Sequence, residues 1–371
     1  MSLSDSPGIR VGLAGFGPAG SFFHAPLIAA TPGLRLTAVV TRDPARAERV
    51  RAEHPGADVV STPQALWDRC DLVVIATPNR THVPLAAEAL KAGLPVVVDK
   101  PLAGTAAEAR DLVRLARDRG LMLTVFQNRR WDGDFLTVRR LLPELGEVHR
   151  FESRFERWRP VPKGGWRESG GPEEIGGVLY DLGSHLVDQA LRLFGPVSQV
   201  YAETDVRRAG VRGDDDAFIA LTHRNGTRSH LWMSAVAADL GPRFRVLGSR
   251  ASYVKWGLGP QEERLRAGGR PDAADRSGAG WGSEPSERWG TLGAAGDAVP
   301  VPTEQGAYQR FYEGVVACLR DGAAPPVEPD EAADTIAVIE AAVRSAARGE
   351  VTALPALPAF PALPAFPARN G

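Results

Sequence analysis

Residues 9–20 read IRVGLAGFGPAG, an apolar run that leads directly into a glycine-rich loop. The loop GFGPAG matches the pattern G-x-G-x-x-G. In such a loop Gly15 allows a tight turn, Gly17 lets the backbone approach a pyrophosphate, and Gly20 allows close packing of helix on strand. A glycine loop alone is weak evidence, but this one follows a predicted strand and begins a predicted helix. The stretch therefore predicts the phosphate-binding turn of a dinucleotide-binding βαβ unit.

The rest of the N-terminal third repeats this alternation of strand and helix. Four further apolar runs rich in valine and leucine are predicted strands, at 34–40, 71–77, 95–99 and 121–127. Helix-like segments lie near 19–30, 44–54, 81–92 and 105–119. Asp43 followed by Pro44 is typical of a helix start, and Gly93 and Gly120 stand where helices end. Strands that alternate with helices form right-handed βαβ units, so residues 1–126 are predicted to be an α/β Rossmann domain.

The pattern changes after residue 130. Alternating apolar and polar positions predict strands at 148–158, 198–206, 216–223, 228–236, 244–249 and 251–257. Helices are predicted at 134–143, 177–194, 306–321 and 330–348. A turn such as Asn225-Gly226 favours antiparallel neighbours. Residues 127–350 are therefore predicted to be an α+β domain with a large open antiparallel sheet.

The last segment, 351–371, differs from both predicted domains. Within it, ALPALPAFPALPAFPA (353–368) repeats proline at every third position. Proline lacks the N–H that a helix needs, which excludes a membrane-spanning helix in this tail. The repeat is typical of polyproline II structure or of disorder, and a docking motif is the alternative.

Composition limits the classes of function. Lysine and arginine number 44 against 45 aspartates and glutamates, so the charge favours neither nucleic acid nor an anionic membrane as a partner. The sequence MSLSDSPGIR at the start has no hydrophobic signal region. Two cysteines, Cys70 and Cys318, fit a reducing compartment, and the histidines show no metal-ligand spacing. We expect a cytoplasmic protein without a metal site.

The residues after the second predicted strand bear on the choice of dinucleotide. NAD enzymes place a carboxylate about 20 residues beyond the glycine loop, where it binds the ribose 2′-hydroxyl. Here Thr41 and Arg42 stand at the strand end, and the nearby Asp43 is already explained by its helix cap. A hydroxyl beside a guanidinium suits a 2′-phosphate. The sequence favours NADP, with NAD and a merely solvent-exposed arginine as the alternatives.

Four ordered motifs together resemble the glucose-fructose oxidoreductase/inositol dehydrogenase (Gfo/Idh/MocA) family: GFGPAG (15–20), TPNRTH (77–82), DKP (99–101) and YDLGSH (180–185). The resemblance extends from the first strand to the last helix and leaves out the proline-rich tail. Four further stretches are more similar to the NADP-dependent scyllo-inositol dehydrogenase branch: FHAPLI (23–28), QNRRWDGDF (127–135), GWRESGG (165–171) and GSRASYVKWGLGPQEERL (248–265).

The resemblance implies a catalytic lysine and a catalytic D-x-x-x-H pair. In this sequence the lysine is Lys100, and the pair is Asp181 and His185, four residues apart on a predicted helix. The family usually has glutamate before the lysine, so Asp99 is a departure with a side chain one methylene shorter. The resemblance also implies a cis Lys100–Pro101 peptide bond, and sheets that pack face to face in homodimers or homotetramers.

The other predicted cofactor contacts come from the same motifs. They are Thr77, Pro78, Asn79, His82, Asp99, Lys100, Asn128, Trp166 and Arg167. A helix-cap or turn role is the alternative for Asn79 and His82. Trp166 and Arg167, with Arg130, also suit a pocket for a polyhydroxylated substrate. His24, in the helix after the glycine loop, is expected only to pack.

Together these residues predict oxidation of an alcohol with a nicotinamide cofactor. His185 would accept the hydroxyl proton, Asp181 would orient it, and Lys100 would stabilise the developing alkoxide. The expected substrate is a secondary alcohol of a polyol, inositol or sugar. Two alternatives stay open: a non-catalytic NADP-binding sensor, and a glycoside hydrolase that uses its nicotinamide transiently.

Overall fold

The computed structural model describes residues 8–170, 174–271 and 280–356. Within these ranges the chain forms two compact units, each assembled from separate segments. The first unit contains residues 8–131, 260–271, 280–282 and 307–336. The second contains residues 132–170, 174–259, 283–306 and 337–356. The predicted domain boundaries at residues 126 and 350 divide the chain into consecutive segments and stay a prediction. Each compact unit, by contrast, combines segments that are far apart in the sequence.

The described residues contain fifteen strands and eleven α-helices. The strands are β1 (Ile9–Ala14), β2 (Leu34–Val40), β3 (Asp58–Val60), β4 (Leu72–Ile75), β5 (Val96–Asp99), β6 (Leu123–Phe126), β7 (Val148–Glu156), β8 (Val197–Asp205), β9 (Asp216–His223), β10 (Arg228–Ser234), β11 (Phe244–Gly248), β12 (Ser252–Lys255), β13 (Gly290–Gly293), β14 (Val299–Val301) and β15 (Thr352–Ala353). The helices are α1 (Ala25–Ala30), α2 (Pro44–Glu53), α3 (His82–Lys91), α4 (Ala106–Asp118), α5 (Gly133–Leu145), α6 (Trp166–Ser169), α7 (Gly177–Asp181), α8 (Gly183–Phe194), α9 (Gln261–Arg266), α10 (Gln309–Asp321) and α11 (Pro329–Arg348).

Six strands of the first unit form a parallel sheet in the order β3-β2-β1-β4-β5-β6. This is the strand order of a dinucleotide-binding Rossmann domain, so the predicted α/β class is confirmed. The other five strands lie within two residues of their predicted bounds. The sequence did not predict β3, because its three residues are too few to give a hydrophobic period.

The strands of this sheet are buried on both faces. Every residue of β4 and of β5 is buried, which explains the run of valines before Asp99. Helices cover the sheet, and Phe311 and Tyr312 of α10 belong to the same hydrophobic core. Lys100 follows β5 directly, so it stands at the carboxyl edge of the sheet, the edge from which the glycine loop also leaves.

Two helices of the first unit begin with side-chain caps. The Asp43 carboxylate accepts a hydrogen bond from the N–H of Arg46 at 3.1 Å, which confirms the predicted start of α2. At the start of α4, Thr105 and Glu108 form a reciprocal capping box. A cap of this kind stabilises a helix by about 1 kcal/mol.

Nine strands of the second unit form one sheet in the order β14-β13-β12-β11-β7-β10-β9-β8-β15. Its described neighbours are antiparallel except β7 and β10, which run parallel. The prediction of a large antiparallel sheet is thus confirmed, and the sheet is mixed in detail. The parallel pair arises because α6, α7, α8 and the β8–β9 pair intervene along the chain before β10 returns beside β7.

The predicted helix over 177–194 is interrupted. Helix α7 ends at Asp181 and α8 begins at Gly183, with Leu182 between them. The N–H of His185 donates to the Leu182 carbonyl at 3.1 Å, a bond to the third residue back that is typical of a tight turn. Glycine at 183 is a poor helix former, which favours the break here. Asp181 and His185 therefore lie on either side of an interruption and not on one continuous helix.

The chain beyond α11 is described as far as residue 356. Thr352 and Ala353 of β15 pair with the edge strand β8. The predicted polyproline segment lies outside the described residues from 357 onward. No helix in the described ranges is long and apolar enough to span a bilayer.

Candidate active site

The glycine loop connects β1 to the first helix of the Rossmann unit. Gly15 has a φ of 101°, and a Cβ there would lie 2.6 Å from the Ala76 carbonyl oxygen. A Cβ on Gly20 would lie 2.1 Å from the Gly15 carbonyl oxygen. The Ser21 N–H donates to the Gly17 carbonyl oxygen at 2.8 Å, which closes the first helical turn. Gly15 and Gly20 are therefore required by the fold itself.

Gly17 is different from its two neighbours in the motif. A Cβ on Gly17 would meet no described protein atom within 4 Å, so packing does not require glycine at this position. Open space beside a tight turn at the start of a helix is what close approach of a pyrophosphate needs. The residues of this loop fit the dinucleotide that the sequence predicted.

The turn after β2 carries the two residues predicted to select the nucleotide. The N–H of Thr41 donates to the Val60 carbonyl at 3.0 Å, and its hydroxyl accepts a hydrogen bond from the N–H of Asp43 at 3.3 Å. Arg42 is exposed. The backbone of the turn is thus fixed by β3 and by the start of α2, while the Arg42 side chain is at the surface of the same sheet edge.

The loop after β4 contains the motif TPNRTH. The Thr81 hydroxyl lies 2.7 Å from both the Thr77 hydroxyl oxygen and the Pro78 carbonyl oxygen, which makes a compact turn. Asn79 is buried in this turn, whereas Pro78 is exposed. The turn places these residues beyond the carboxyl end of β4, as predicted; their contact with a cofactor stays a prediction.

His82 joins the loops that follow β4 and β5. Its ring is fully buried, with Nδ1 2.8 Å from the Pro101 carbonyl oxygen and Nε2 2.9 Å from the Thr77 carbonyl oxygen. Carbonyl oxygens only accept hydrogen bonds, so both bonds form together when both ring nitrogens carry a proton. His82 therefore connects the loop after β4 to the residue that follows Lys100, which agrees with the turn role given above as its alternative.

Asp99 and Lys100 occupy the end of β5. The Lys100–Pro101 peptide bond is cis, as the family resemblance implied. The Asp99 carboxylate is buried, and its Oδ1 accepts a hydrogen bond from the N–H of Lys100 at 3.0 Å. Burial opposes ionisation of Asp99, but the interaction with His24 and the charges of Lys100 and His82 hold its pKa below the usual range. Lys100 thus follows a buried carboxylate that stays ionised.

The segment after β6 leads into a 3₁₀ turn, Asn128–Trp131. Asn128 is buried there. The guanidinium of Arg130 donates to the Glu331 carboxylate at 2.5 Å, and both side chains are buried, while its place in a substrate pocket stays a prediction. Arg130 therefore fastens this turn to α11.

The predicted D-x-x-x-H pair belongs to the second unit. His185 is buried near the start of α8, and Asp181 is half-buried at the end of α7. Both follow Gly177, which has a φ of 83° and packs against Asp214: a Cβ on Gly177 would lie 2.0 Å from the Asp214 carboxylate. The placement of Asp181 and His185 within the second unit thus depends on how α7 begins.

Asp214 caps that helix from a distant loop. Its carboxylate accepts a hydrogen bond from the N–H of Leu179 at 2.7 Å, and its carbonyl accepts one from the N–H of Val178 at 2.8 Å. Burial raises the pKa of Asp214 to about 6, against the opposing effect of the Leu179 bond. Sequence reasoning missed this residue, although the run GDDD (213–216) at the foot of a strand was a visible signal.

The neighbouring Asp215 organises the loop that contains α6. Its carboxylate accepts a hydrogen bond from Arg208 at 2.9 Å, and Arg208 also donates to Glu168 of α6 at 2.9 Å. Trp166 and Arg167 lie in the same short helix, but their side chains fall outside the described residues. One acidic run therefore supports both α7 and the segment that contains these two predicted pocket residues.

A Rossmann sheet with an open glycine turn and a lysine beyond the same strand ends defines the class: an oxidoreductase that uses a nicotinamide dinucleotide. Two family models match this chain, the oxidoreductase family NAD-binding Rossmann fold over residues 9–127 and the oxidoreductase family C-terminal alpha/beta domain over residues 140–354. The chain belongs to the Gfo/Idh/MocA oxidoreductase family, and it is an NAD(P)-dependent dehydrogenase or reductase acting on alcohol groups.

Known proteins are similar to it over almost the whole length. It is 42% identical to the uncharacterized oxidoreductase YdgJ of Escherichia coli (strain K12), over 92% of this chain and 97% of that protein. It is 34% identical to the scyllo-inositol 2-dehydrogenase (NADP(+)) IolW of Bacillus subtilis (strain 168), over 91% and 93%. A solved structure of an oxidoreductase from Yersinia pestis matches with a TM-score of 0.87 and 41% identity, over 96% of this chain and all of the other.

Proposed function

We propose that the protein is an NADP-dependent oxidoreductase that transfers a hydride between nicotinamide and a secondary alcohol of a polyol, inositol or sugar. The arrangement at the carboxyl edge of the first unit's sheet supports this proposal best. There Gly17 leaves open space for a pyrophosphate, and Lys100 follows β5 beyond the strand ends. A relative named as an NADP-dependent scyllo-inositol dehydrogenase supports the same chemistry.

Each proposed catalytic residue has one task. A bound nicotinamide would accept hydride from the carbinol carbon. Lys100 would donate a hydrogen bond to the substrate oxygen and stabilise the charge that develops there. His185 would accept the hydroxyl proton, and Asp181 would orient the imidazole. The buried position of His185 and the anchored backbone of Lys100 suit groups that must be preorganised.

The preference for NADP over NAD rests on Arg42. Its guanidinium is exposed beside the start of α2, on the sheet edge where the adenosine ribose of a Rossmann nucleotide binds. Asp43, the nearby acid, is engaged as the cap of α2. Arg42→Ala should weaken NADPH binding about tenfold and leave NADH binding unchanged, as measured by fluorescence titration. An equal loss for both nucleotides would contradict the assignment.

A substrate panel tests the main proposal. The purified protein is incubated with NADP and a series of inositols, aldoses and aryl glycosides, while the absorbance of reduced nicotinamide is followed and products are analysed. Net reduction of the cofactor with one of the free alcohols supports the dehydrogenase. Release of a glycoside without net reduction would replace it with the hydrolase alternative, and cofactor binding without any turnover would favour the sensor.

We also propose that the chain forms a homodimer or homotetramer through the outer face of its large sheet. Phe218, His230 and Trp232 are half-exposed on this face, with the Phe218 and Trp232 rings 5.1 Å apart and the Arg154 guanidinium 3.9 Å from the Trp232 ring. Such an aromatic patch with arginine is typical of interfaces. Light scattering should give an oligomer for the wild type and a monomer for Trp232→Glu, whereas Trp256→Glu, at another exposed tryptophan, should stay oligomeric.

A further inference from the structure

Three buried polar side chains form a line that ends at the backbone of Lys100. The Tyr312 hydroxyl lies 2.6 Å from Nδ1 of His24. Nε2 of His24 lies 3.7 Å from Oδ1 of Asp99, and that oxygen accepts the N–H of Lys100 at 3.0 Å. Tyr312 and His24 are fully buried, and Asp99 is 7% exposed. All of these residues belong to the first unit, although they come from three distant parts of the sequence.

The chemistry of the line fixes the direction of its hydrogen bonds. Burial and the charge of Asp99 raise the pKa of Tyr312 well above its ordinary value, so the phenol keeps its proton and can donate it to Nδ1 of His24. The remaining ring proton is then on Nε2, which faces the Asp99 carboxylate and has no hydrogen-bond partner within the described residues. The opposite tautomer would turn a lone pair toward a carboxylate, which is unfavourable.

Aromatic packing holds the line in place. The Phe126 ring centroid lies 4.4 Å from that of His24, and the Phe311 ring lies 5.2 Å from that of Tyr312 in an edge-on arrangement. Buried polar groups are costly where they are not needed, and hydrophobic residues would fill this core equally well. A line of three such groups beside a proposed catalytic lysine therefore indicates a use in positioning.

We propose that Tyr312 and His24 are positioning residues, which fix the Asp99 carboxylate and through it the backbone of Lys100. The inference rests on the proposed function, because it gives this line a purpose only if Lys100 is catalytic.

The first experiment measures the Lys100 amide without any substrate. The chain has four lysines, Lys91, Lys100, Lys163 and Lys255, so ¹⁵N-lysine labelling gives few backbone resonances, and Lys100→Arg identifies the one required. Tyr312→Phe should accelerate hydrogen exchange of this amide about tenfold, because the carboxylate that accepts it loses its support. Tyr308→Phe is the matched control, since it removes a hydroxyl from another buried tyrosine of the same segment. Equal exchange rates in the two variants would overturn the proposal.

A second pair of variants tests His24 itself and does not depend on how well Tyr312→Phe folds. His24→Gln places an amide nitrogen near the position of Nε2 and should keep Lys100 exchange close to wild type. His24→Leu has a similar volume but no donor, and it should accelerate exchange. Identical behaviour of these two variants would show that packing alone matters, and the proposal would fail.

Steady-state kinetics then test whether the line serves catalysis. Tyr312→Phe should lower kcat about tenfold with KM for NADP unchanged, and Tyr308→Phe should leave both unchanged. Faster amide exchange with an unchanged kcat would overturn the positioning role. If the wild type turns over no substrate of the panel, the proposed function fails, and the exchange data still decide whether the line anchors Lys100.

Discussion

The two units support their candidate catalytic side chains in different ways. In the first unit, Lys100 follows a fully buried strand, and its N–H is held by the carboxylate of the residue before it. In the second unit, Asp181 and His185 lie on either side of an interruption between two helices. Support there comes from Asp214, a residue about thirty positions further along the chain. Lys100 is thus held from inside the core of its own unit, whereas the pair Asp181 and His185 is held by a separate loop.

This difference indicates which substitutions the strand end before Lys100 and the short helix before His185 can each tolerate. A strand end surrounded by a packed core moves little when a surface group is lost, because neighbouring strands fix it through many hydrogen bonds. A short helix that begins at a glycine has few bonds of its own and depends on its cap. In the first unit, we therefore expect that a substitution at a helix cap can lower stability and leave activity unchanged. In the second unit, we expect loss of a cap to lower both stability and activity.

The largest effect should come from the chemistry at the strand end. Lys100→Met should lower kcat by about 10³-fold, because it removes the donor that stabilises the developing alkoxide. NADPH binding, measured by fluorescence titration, should be retained. Lys91→Met, at the exposed end of α3, is the control and should behave as wild type. Substantial turnover by Lys100→Met would remove the lysine from the mechanism.

Ion pairs provide the next contrast between the units. Arg208 and Asp215 are both buried in the second unit, so Arg208→Met should lower the free energy of unfolding by about 3 kcal/mol, because the buried Asp215 carboxylate loses its cationic partner and keeps only its backbone hydrogen bonds. Arg10→Met breaks the exposed pair with Asp71 in the first unit and should lower the free energy of unfolding much less. Urea denaturation measures both variants. Equal losses would mean that burial does not distinguish the two pairs.

Helix caps sharpen the comparison further. Asp214→Ala and Thr105→Ala each remove one cap and should each lower the free energy of unfolding by about 1 kcal/mol. Only Asp214→Ala should also lower kcat, by about tenfold, because α7 leads to Asp181 and His185. Activity at a temperature well below both unfolding transitions gives the measurement. A similar kcat for the two variants would contradict the coupling proposed for the second unit.

The same unit should also show a pH dependence of stability. Because burial raises the pKa of Asp214 from 3.8 to about 6, folding favours its protonated form. The stability that this group contributes is complete below about pH 3.8 and is lost as the pH rises through about 6. Asp214→Asn removes the titration, so its stability relative to wild type should increase across that range. Urea denaturation at a series of pH values should give this trend, and a constant difference would refute it.

Much of the fold was predictable because its signals are local. Five parallel strands, the α2 cap and the position of Lys100 follow from apolar runs and short motifs. The support of the sites was not predictable in the same way. His24 meets Tyr312 across 288 positions, and Leu179 meets Asp214 across 35, so no sequence period connects either pair. The break at Leu182 was missed because the apolar pattern continues through it.

The contribution of α10 to the core of the first unit has a consequence for synthesis on the ribosome. The sheet is complete in sequence at Phe126, but Phe311 and Tyr312, which close its core, are translated much later. At ordinary elongation rates this interval lasts roughly 10–40 s. During this interval the nascent Rossmann sheet lacks α10, so we expect the N-terminal portion to mature only when most of the polypeptide has emerged.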